Sequence, residues 1–395
     1  MKKIITLILL IIFGISEMSI ACTSAIITGK ATPDGRPLMW KHRDTKEEDN
    51  RMVYVQGSKY TYIGLVKSSD LKHSNIWVGT NSAGFCIMNT VSYNLETDGT
   101  GSAGVVMRKA LESCATIEDF EELLEDMKKP MGIRANFGVI DAYGGAAYYE
   151  ASSFSYTKYD ANDPEIAPNN YLIRSNYSFS GEVDEGQGYI RYENAKYLFE
   201  NHPTQKFTPE WIFSSVTRSF YHSLLGKDLR TQLPVFAIDN DYIPRKSSVS
   251  AFVFQGVKKG EAVESTTMWS ALGYPPTAIV VQLWVAGGKQ LPEILVEADY
   301  SNNAPLCDKS IALKNKVFPI KRGNGDQYMH FALLYNAEGD GIIQKLQPVE
   351  REIFEETYKK IDEWNATGWT TKKISEYYRY LNDKVVKAYK DLFNL

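Results

Sequence analysis

Apolar and polar positions along the chain repeat at two periods, and the period selects the element. The β-rich run Thr23–Thr28, the Pro33-Asp34-Gly35 turn and the run Pro37–Trp40 predict a β-hairpin over 22–44. That hairpin returns Lys41 to Asp44 to the side of its first residue, Cys22. Tyr60–Val66 and Asn75–Val78 read as short strands, and Asn81-Ser82-Ala83-Gly84 as a turn before a strand over Phe85–Asn89. The period then lengthens. Gly104–Cys114 and Ile117–Met127 read as helices, the second capped by Thr116 with Glu118 and Asp119 in its first turn. A second hairpin follows, Asn136–Asp141 and Ala146–Glu150 around Gly144-Gly145. Tyr171–Ser175, Val249–Phe254, Thr266–Ser270 and Ala278–Val285 read as strands, and Arg191–Glu200 and Pro209–Leu225 as helices.

Strands, two helices, strands, helices, strands is not strict β-α-β alternation, and the hairpins argue for antiparallel sheets. Two sheets face to face with helices outside, an α+β architecture, satisfy that order. After residue 304 the texture changes. Residues 349–393 are charged, Tyr-rich and helix-periodic, so 305–395 is expected to be a mostly helical extension of a domain spanning 22–304.

The first residues set the expected compartment. Lys2 and Lys3 precede an apolar run from Ile4 to Phe13, too short to span a bilayer. Ser19 and Ala21 are the small residues a signal peptidase accepts before Cys22. Residues 1–21 therefore read as a signal peptide, and the mature chain as periplasmic or secreted without stable membrane insertion. Cleavage would expose Cys22 in one of two roles. It is either the lipidated cysteine of a lipoprotein, although Ser19 stands where leucine is usual, or an N-terminal nucleophile. A free α-amine and a thiol on one residue make a base and nucleophile pair, with reference pKa values of ~7.7–8.0 and ~8.5. Lipidation consumes both groups, so the roles exclude each other.

Composition narrows the field further. The 395 residues carry 44 Lys plus Arg against 48 Asp plus Glu, so no basic surface favours nucleic acid. Cys22, Cys86, Cys114 and Cys307 allow two disulfides, but Cys86 and Cys114 equally suit plain buried thiols. No Cys-x-x-Cys or other metal-ligand spacing occurs, and no metal or cofactor is expected. Gly99-Thr100-Gly101-Ser102-Ala103-Gly104 fits the dinucleotide fingerprint, but Asp126 falls inside a helical pattern and not at a second strand, so the segment reads as a loop entering a helix. Of the scattered histidines only His42 falls near Cys22; it could pair with that thiol, but it reads rather as a surface or packing residue.

Cys22-Thr23-Ser24-Ala25-Ile26-Ile27, the Pro33-Asp34-Gly35 turn and Leu38-Met39-Trp40-Lys41-His42-Arg43-Asp44 together resemble the start of the N-terminal-nucleophile cysteine hydrolases. These include the acyl-coenzyme A:6-aminopenicillanic acid acyltransferase family, the choloylglycine hydrolases and related dipeptidases. Further matches follow in order: Gly79 to Phe85 with Asn89-Thr90, Asn136–Asp141 through Tyr149-Glu150, Arg174-Ser175-Asn176, and Gly188-Tyr189-Ile190-Arg191-Tyr192. The resemblance spans roughly 22–290. It implies a four-layer αββα sandwich of antiparallel sheets. It also implies cleavage or transfer at a non-peptide or small-peptide C–N amide bond of a small molecule, with no cofactor. In the roles it implies, Cys22 attacks the carbonyl, Asn89 and Asn176 stabilise the oxyanion, Asp44 orients the α-ammonium, and Arg191 fixes Asp44 or the substrate. The family's arginine slot falls on Lys41 or shifts to Arg43.

Overall fold

The structure, a computed structural model, describes residues 21–298 and 301–395. The leader read from the sequence lies outside the described residues except for Ala21. Strands β1 (Cys22–Ile27) and β2 (Leu38–Asp44) form the expected hairpin. Next come β3 (Asn50–Gln56), β4 (Thr61–Lys67), β5 (Val78–Asn81) and β6 (Cys86–Val91), then helices α1 (Ala103–Ser113) and α2 (Ile117–Asp126). Strands β7 (Ala135–Ile140), β8 (Ala146–Ala151), β9 (Tyr156–Asp160) and β10 (Tyr171–Arg174) follow, then helix α3 (Tyr189–Glu200). The remaining long elements are β11 (Ser248–Gln255), β12 (Thr267–Leu272), β13 (Val281–Leu283), α4 (Pro305–Val317), α5 (Ile342–Thr367) and α6 (Thr371–Phe393).

Two large antiparallel sheets result, beside two two-stranded ribbons. One large sheet runs β10-β1-β2-β11-β12-β13 and the other β3 to β9 in chain order. Strand alternation sorts their side chains into layers. Ile26, Met39, Met88, Tyr148 and Phe252 meet between the sheets. Ile87, Phe137 and Tyr149 face α1 and α2 on one outside. Ala25, Trp40, Val253 and Trp269 face α3 and the π-helical turn Ile212–Thr217 on the other. This is the αββα order, with α4 to α6 as a helical addition. The inter-sheet core continues into those helices through Leu306, Leu346, Trp364, Tyr378 and Leu381.

Several elements differ from the sequence reading. The strand expected at Asn75–Val78 lies three residues later, because Asn81 closes the turn from within: its Oδ1 accepts from the backbone N–H of Ala83 and Phe85. The helix expected over Pro209–Leu225 ends at Thr217. There Arg218 leaves the helical path and forks onto both carboxylate oxygens of Glu350 in α5, at 2.5 and 2.6 Å. The strand expected over Ala278–Val285 shrinks to Val281–Leu283, after a 3-10 turn at Pro275–Thr277. Strands β3 and β9 had no counterpart in the reading. All four cysteines are free and buried, so no disulfide forms among them.

Candidate active site

The β1–β2 register places Cys22 opposite Arg43, Thr23 opposite His42 and Ser24 opposite Lys41. Paired residues share a face, so Cys22, Ser24, Lys41 and Arg43 point between the sheets with Ile26 and Met39. Thr23, His42 and Asp44 point outward, beneath the α3 layer. The Ser24 hydroxyl lies 2.8 Å from the Tyr148 hydroxyl of the facing sheet. Cys22 itself is 4% exposed.

The β1–β10 pairing, Ser24 opposite Arg174, brings Asn176 beside Cys22 when carried two residues on. The Cys22 backbone N–H donates to Asn176 Oδ1 at 2.8 Å. Asn176 Nδ2 donates to the Val91 carbonyl at 2.8 Å, so the amide bridges the two sheets. Its loop is fixed from both sides. Asn136 Nδ2 donates to the carbonyls of Ser175 and Tyr177. Glu150, paired with Arg174, accepts from the N–H groups of Phe179 and Ser180.

Arg191, from the first turn of α3, closes the cluster. One guanidinium nitrogen donates to the Cys22 carbonyl at 2.7 Å and to Thr23 Oγ1 at 2.8 Å. The other donates to Asn176 Oδ1 at 2.7 Å. Gly188 makes room for this fork: its φ is +81°, and a Cβ there would sit 2.2 Å from the Arg191 Nη2. Burial, with the charge of Arg245 next, pulls the Arg191 pKa down to about 10, so it remains a cation at neutral pH.

On the inter-sheet side, Lys41 Nζ donates to the Trp77 carbonyl at 2.6 Å and to Asn89 Oδ1 at 2.9 Å. This lies where the pairing of β5 with β6 ends, at Val78 opposite Met88. Burial lowers the Lys41 pKa to about 7, against an upward pull from Cys22. Arg43 donates to Asn50 Oδ1 at 2.8 Å, and its guanidinium lies 5.6 Å from the Trp77 ring centroid. Its pKa falls to about 10, mainly through burial.

Asp44 takes other partners. Its carboxylate accepts from the Ser248 hydroxyl at 2.7 Å and from Arg245 at 3.0 and 3.1 Å. His42 Nε2 lies 2.8 Å from the same hydroxyl. Burial drives the His42 pKa down to about 4. The structure thus joins Cys22, Asn176 and Arg191 by direct hydrogen bonds. Asn89 bonds instead to Lys41, which is paired with Ser24 on the inter-sheet face, and Asp44 lies on the opposite face of β2. Sequence reasoning did not find Arg245, Ser248 or Trp77. Arg245 lies 201 residues from Asp44, in a loop that carries no motif. Among the described residues no group of His, Cys, Asp and Glu could hold a metal ion, and no helix is long and apolar enough to cross a membrane.

Residues 32–208 match the sequence model of the family described as Acyl-coenzyme A:6-aminopenicillanic acid acyl-transferase. These residues are similar to that family, in line with the resemblance read from the motifs. The match starts ten residues after Cys22, at Thr32. No curated protein sequence matches the chain. Among solved structures, a Caenorhabditis elegans N-acylethanolamine-hydrolyzing acid amidase ortholog is 14% identical, with a TM-score of 0.39 over 59% of this chain and 92% of that one. A conjugated bile acid hydrolase from Clostridium perfringens is 10% identical, with a TM-score of 0.39 over 67% and 92%. A penicillin V acylase from Agrobacterium tumefaciens is 14% identical, with a TM-score of 0.37 over 67% and 86%. Likeness at this level says nothing of substrate.

Proposed function

We propose that the chain is exported to the periplasm or beyond, loses residues 1–21, and cleaves or transfers the acyl group of a small-molecule amide through a Cys22 thioester. The observation that carries this reading is the 2.8 Å hydrogen bond from the Cys22 nitrogen to Asn176 Oδ1. Cutting the Ala21–Cys22 bond turns that nitrogen into the α-amine, already held by an acceptor. Arg191, bonded to the same Asn176 oxygen and to the Cys22 carbonyl, places a positive charge beside it. A nearby cation disfavours the ammonium form and keeps the amine available as a base.

In the reaction, the Cys22 thiol proton passes to the α-amine as sulfur bonds to the amide carbon. The amine then gives that proton to the leaving nitrogen as the C–N bond breaks. Water, deprotonated by the same amine, or an acceptor amine opens the thioester and restores the thiol. Asn176, whose Nδ2 is taken by the Val91 carbonyl, orients the α-amine through Oδ1 in place of the oxyanion role that the resemblance implies. Asn89, its Oδ1 occupied by Lys41, has its Nδ2 available as an oxyanion donor. Loss of one such donor typically raises a barrier by ~2.7–4 kcal/mol. Asp44 supports the cluster from behind, acting on Arg191 through its charge.

The test is a screen of the mature chain against acyl-amino acids, bile salt conjugates, penicillins and dipeptides, beside Cys22→Ala. Turnover that vanishes in Cys22→Ala supports the reading, and turnover that survives overturns it. A lipid adduct on Cys22, found by mass spectrometry, would also overturn it and leave a lipid-anchored binding protein.

A further inference from the structure

The turn end of the β1–β2 hairpin, where Ile27 pairs with Leu38, is the end of the strands remote from Cys22. Five strand steps put it ~17 Å from that residue. A cleft of about 450 Å³ opens there, between the turn, the segment 207–210 and helix α5. Four carboxylates line it, Asp34, Glu210, Glu261 and Asp362, against two cations, Arg36 and Lys258. Both cations lean on one acid: Arg36 Nε and Lys258 Nζ each lie 3.5 Å from Glu261. The Arg36 guanidinium is engaged further by the carbonyls of Gly256 and Ser265. Asp34 accepts from neutral donors, the Arg36 backbone N–H and Gln255 Nε2. The Glu210 and Asp362 side chains form no hydrogen bond or ion pair among the described residues. Burial, and then the charge of Glu355, hold the Glu210 carboxyl above the usual carboxylate range. These groups converge on Tyr358, one turn from Asp362 on α5: burial, then the charges of Glu210 and Asp34, push its phenol up.

A second observation involves no charge. Gln255, the last residue of β11, lines the same cleft and is 3% exposed. Its Nε2 is taken by Asp34, and its Oε1 is buried without a hydrogen-bond partner. A buried acceptor left unanswered is destabilising until a donor meets it. The unmatched groups of the cleft are therefore all acceptors, three carboxylates and an amide oxygen, beside the aromatic wall of Tyr358. From this we infer that the cleft binds a small organic cation carrying primary ammonium groups, held between the domain and α5. An ammonium offers three donors and a charge, and no acceptor. A neutral polyol would answer Gln255 and leave the carboxylates uncompensated, and these acids are not grouped to hold a metal ion. Asp34 and Glu210 stand on the domain and Asp362 on the helix, so two ammonium groups on a short chain answer more of the cleft than one. The site is separate from Cys22 and does not rest on its role as nucleophile.

The test is the binding of 1,4-diaminobutane to the chain beginning at residue 22, at constant ionic strength, read by calorimetric titration and by the melting temperature. A saturable single-site isotherm is expected, with a melting temperature that rises with the diamine concentration. 1-Aminobutane binds more weakly, and 1,4-butanediol does not bind. Glu210→Gln and Asp362→Asn each weaken the diamine about tenfold. Gln255→Met removes the acceptor without removing a charge, and it too weakens binding. Asp383→Asn, which removes an exposed acid of α6, leaves binding unchanged. If sodium or magnesium chloride reproduces the stabilisation, or if Asp383→Asn weakens the diamine as much as Asp362→Asn does, the cleft is only a solvated acidic surface and the inference is overturned. A flat titration of the unaltered chain overturns it as well.

Discussion

Strand β2 presents two faces of opposite character. Outward, His42 and Asp44 are enclosed by Ser248 and Arg245, and each polar group of the carboxylate is answered. Inward, Lys41 and Arg43 are as deeply buried and form no ion pair among the described residues. Alternation alone separates the two sets by one residue. The comparison teaches that equal burial hides unlike electrostatics: outward, the Asp44 carboxylate meets Arg245, and inward, Lys41 and Arg43 rest on neutral oxygens.

The largest effect belongs to the inward face. Cys22→Ala abolishes turnover to background while leaving the melting temperature within a few degrees, measured by steady-state kinetics and calorimetry. Next comes a fully compensated pair remote from Cys22. Glu350→Ala strands Arg218 without a counter-charge, and unfolding free energy falls by about 3–5 kcal/mol, read from urea titration. Its kcat per folded molecule stays unchanged. A kinetic defect there would break the division between paired and unpaired charges.

Asp44→Asn is smaller. It keeps the shape and the bond to Ser248 but leaves Arg245, itself partly exposed, unneutralised, so stability falls by about 1–3 kcal/mol. An alkaline limb of the rate profile moving to lower pH at unchanged stability would instead place the Asp44 charge on the α-amine and erase the contrast between faces.

The smallest effects are pH windows. Lys41 titrates near 7 when folded and near 10.5 when unfolded. The unfolded chain therefore binds more protons between those values, and stability from this group rises with pH across that range. Lys41→Met lacks the rise. His42 titrates near 4 when folded and 6.5 when unfolded, so its contribution is lost as pH falls from 6.5 towards 4. His42→Gln flattens that acid limb. Unfolding titrations at fixed pH steps check both.

The hairpin that carries Cys22 was legible because a strong turn between two β-rich runs fixes it within 23 residues, and its register follows from the turn. Asn176 and Arg191 were legible as short motifs. Strand β3 was not, because Met52 and Val53 are both buried and its apolar run does not alternate. Edge strand β9 is half-exposed and polar, and its pattern resembles a loop. The end of the helix at Thr217 depends on Glu350, 132 residues from Arg218, a distance no local period reports. The separation of Asp44 from Cys22 has the same origin. Sequence order brings the strand end home, but which face each residue takes is set by pairing, and the Asp44 partners lie far along the chain.

The most direct test of the account is the site of acylation. The chain beginning at residue 22, and the chain retaining Ala21, are each mixed with p-nitrophenyl acetate, quenched in acid and mapped by peptide mass spectrometry. The account predicts an acetyl group, released by hydroxylamine, on the Cys22 thiol of the first chain and none on the second. Acetylation of another residue, or equal labelling of both chains, would contradict it.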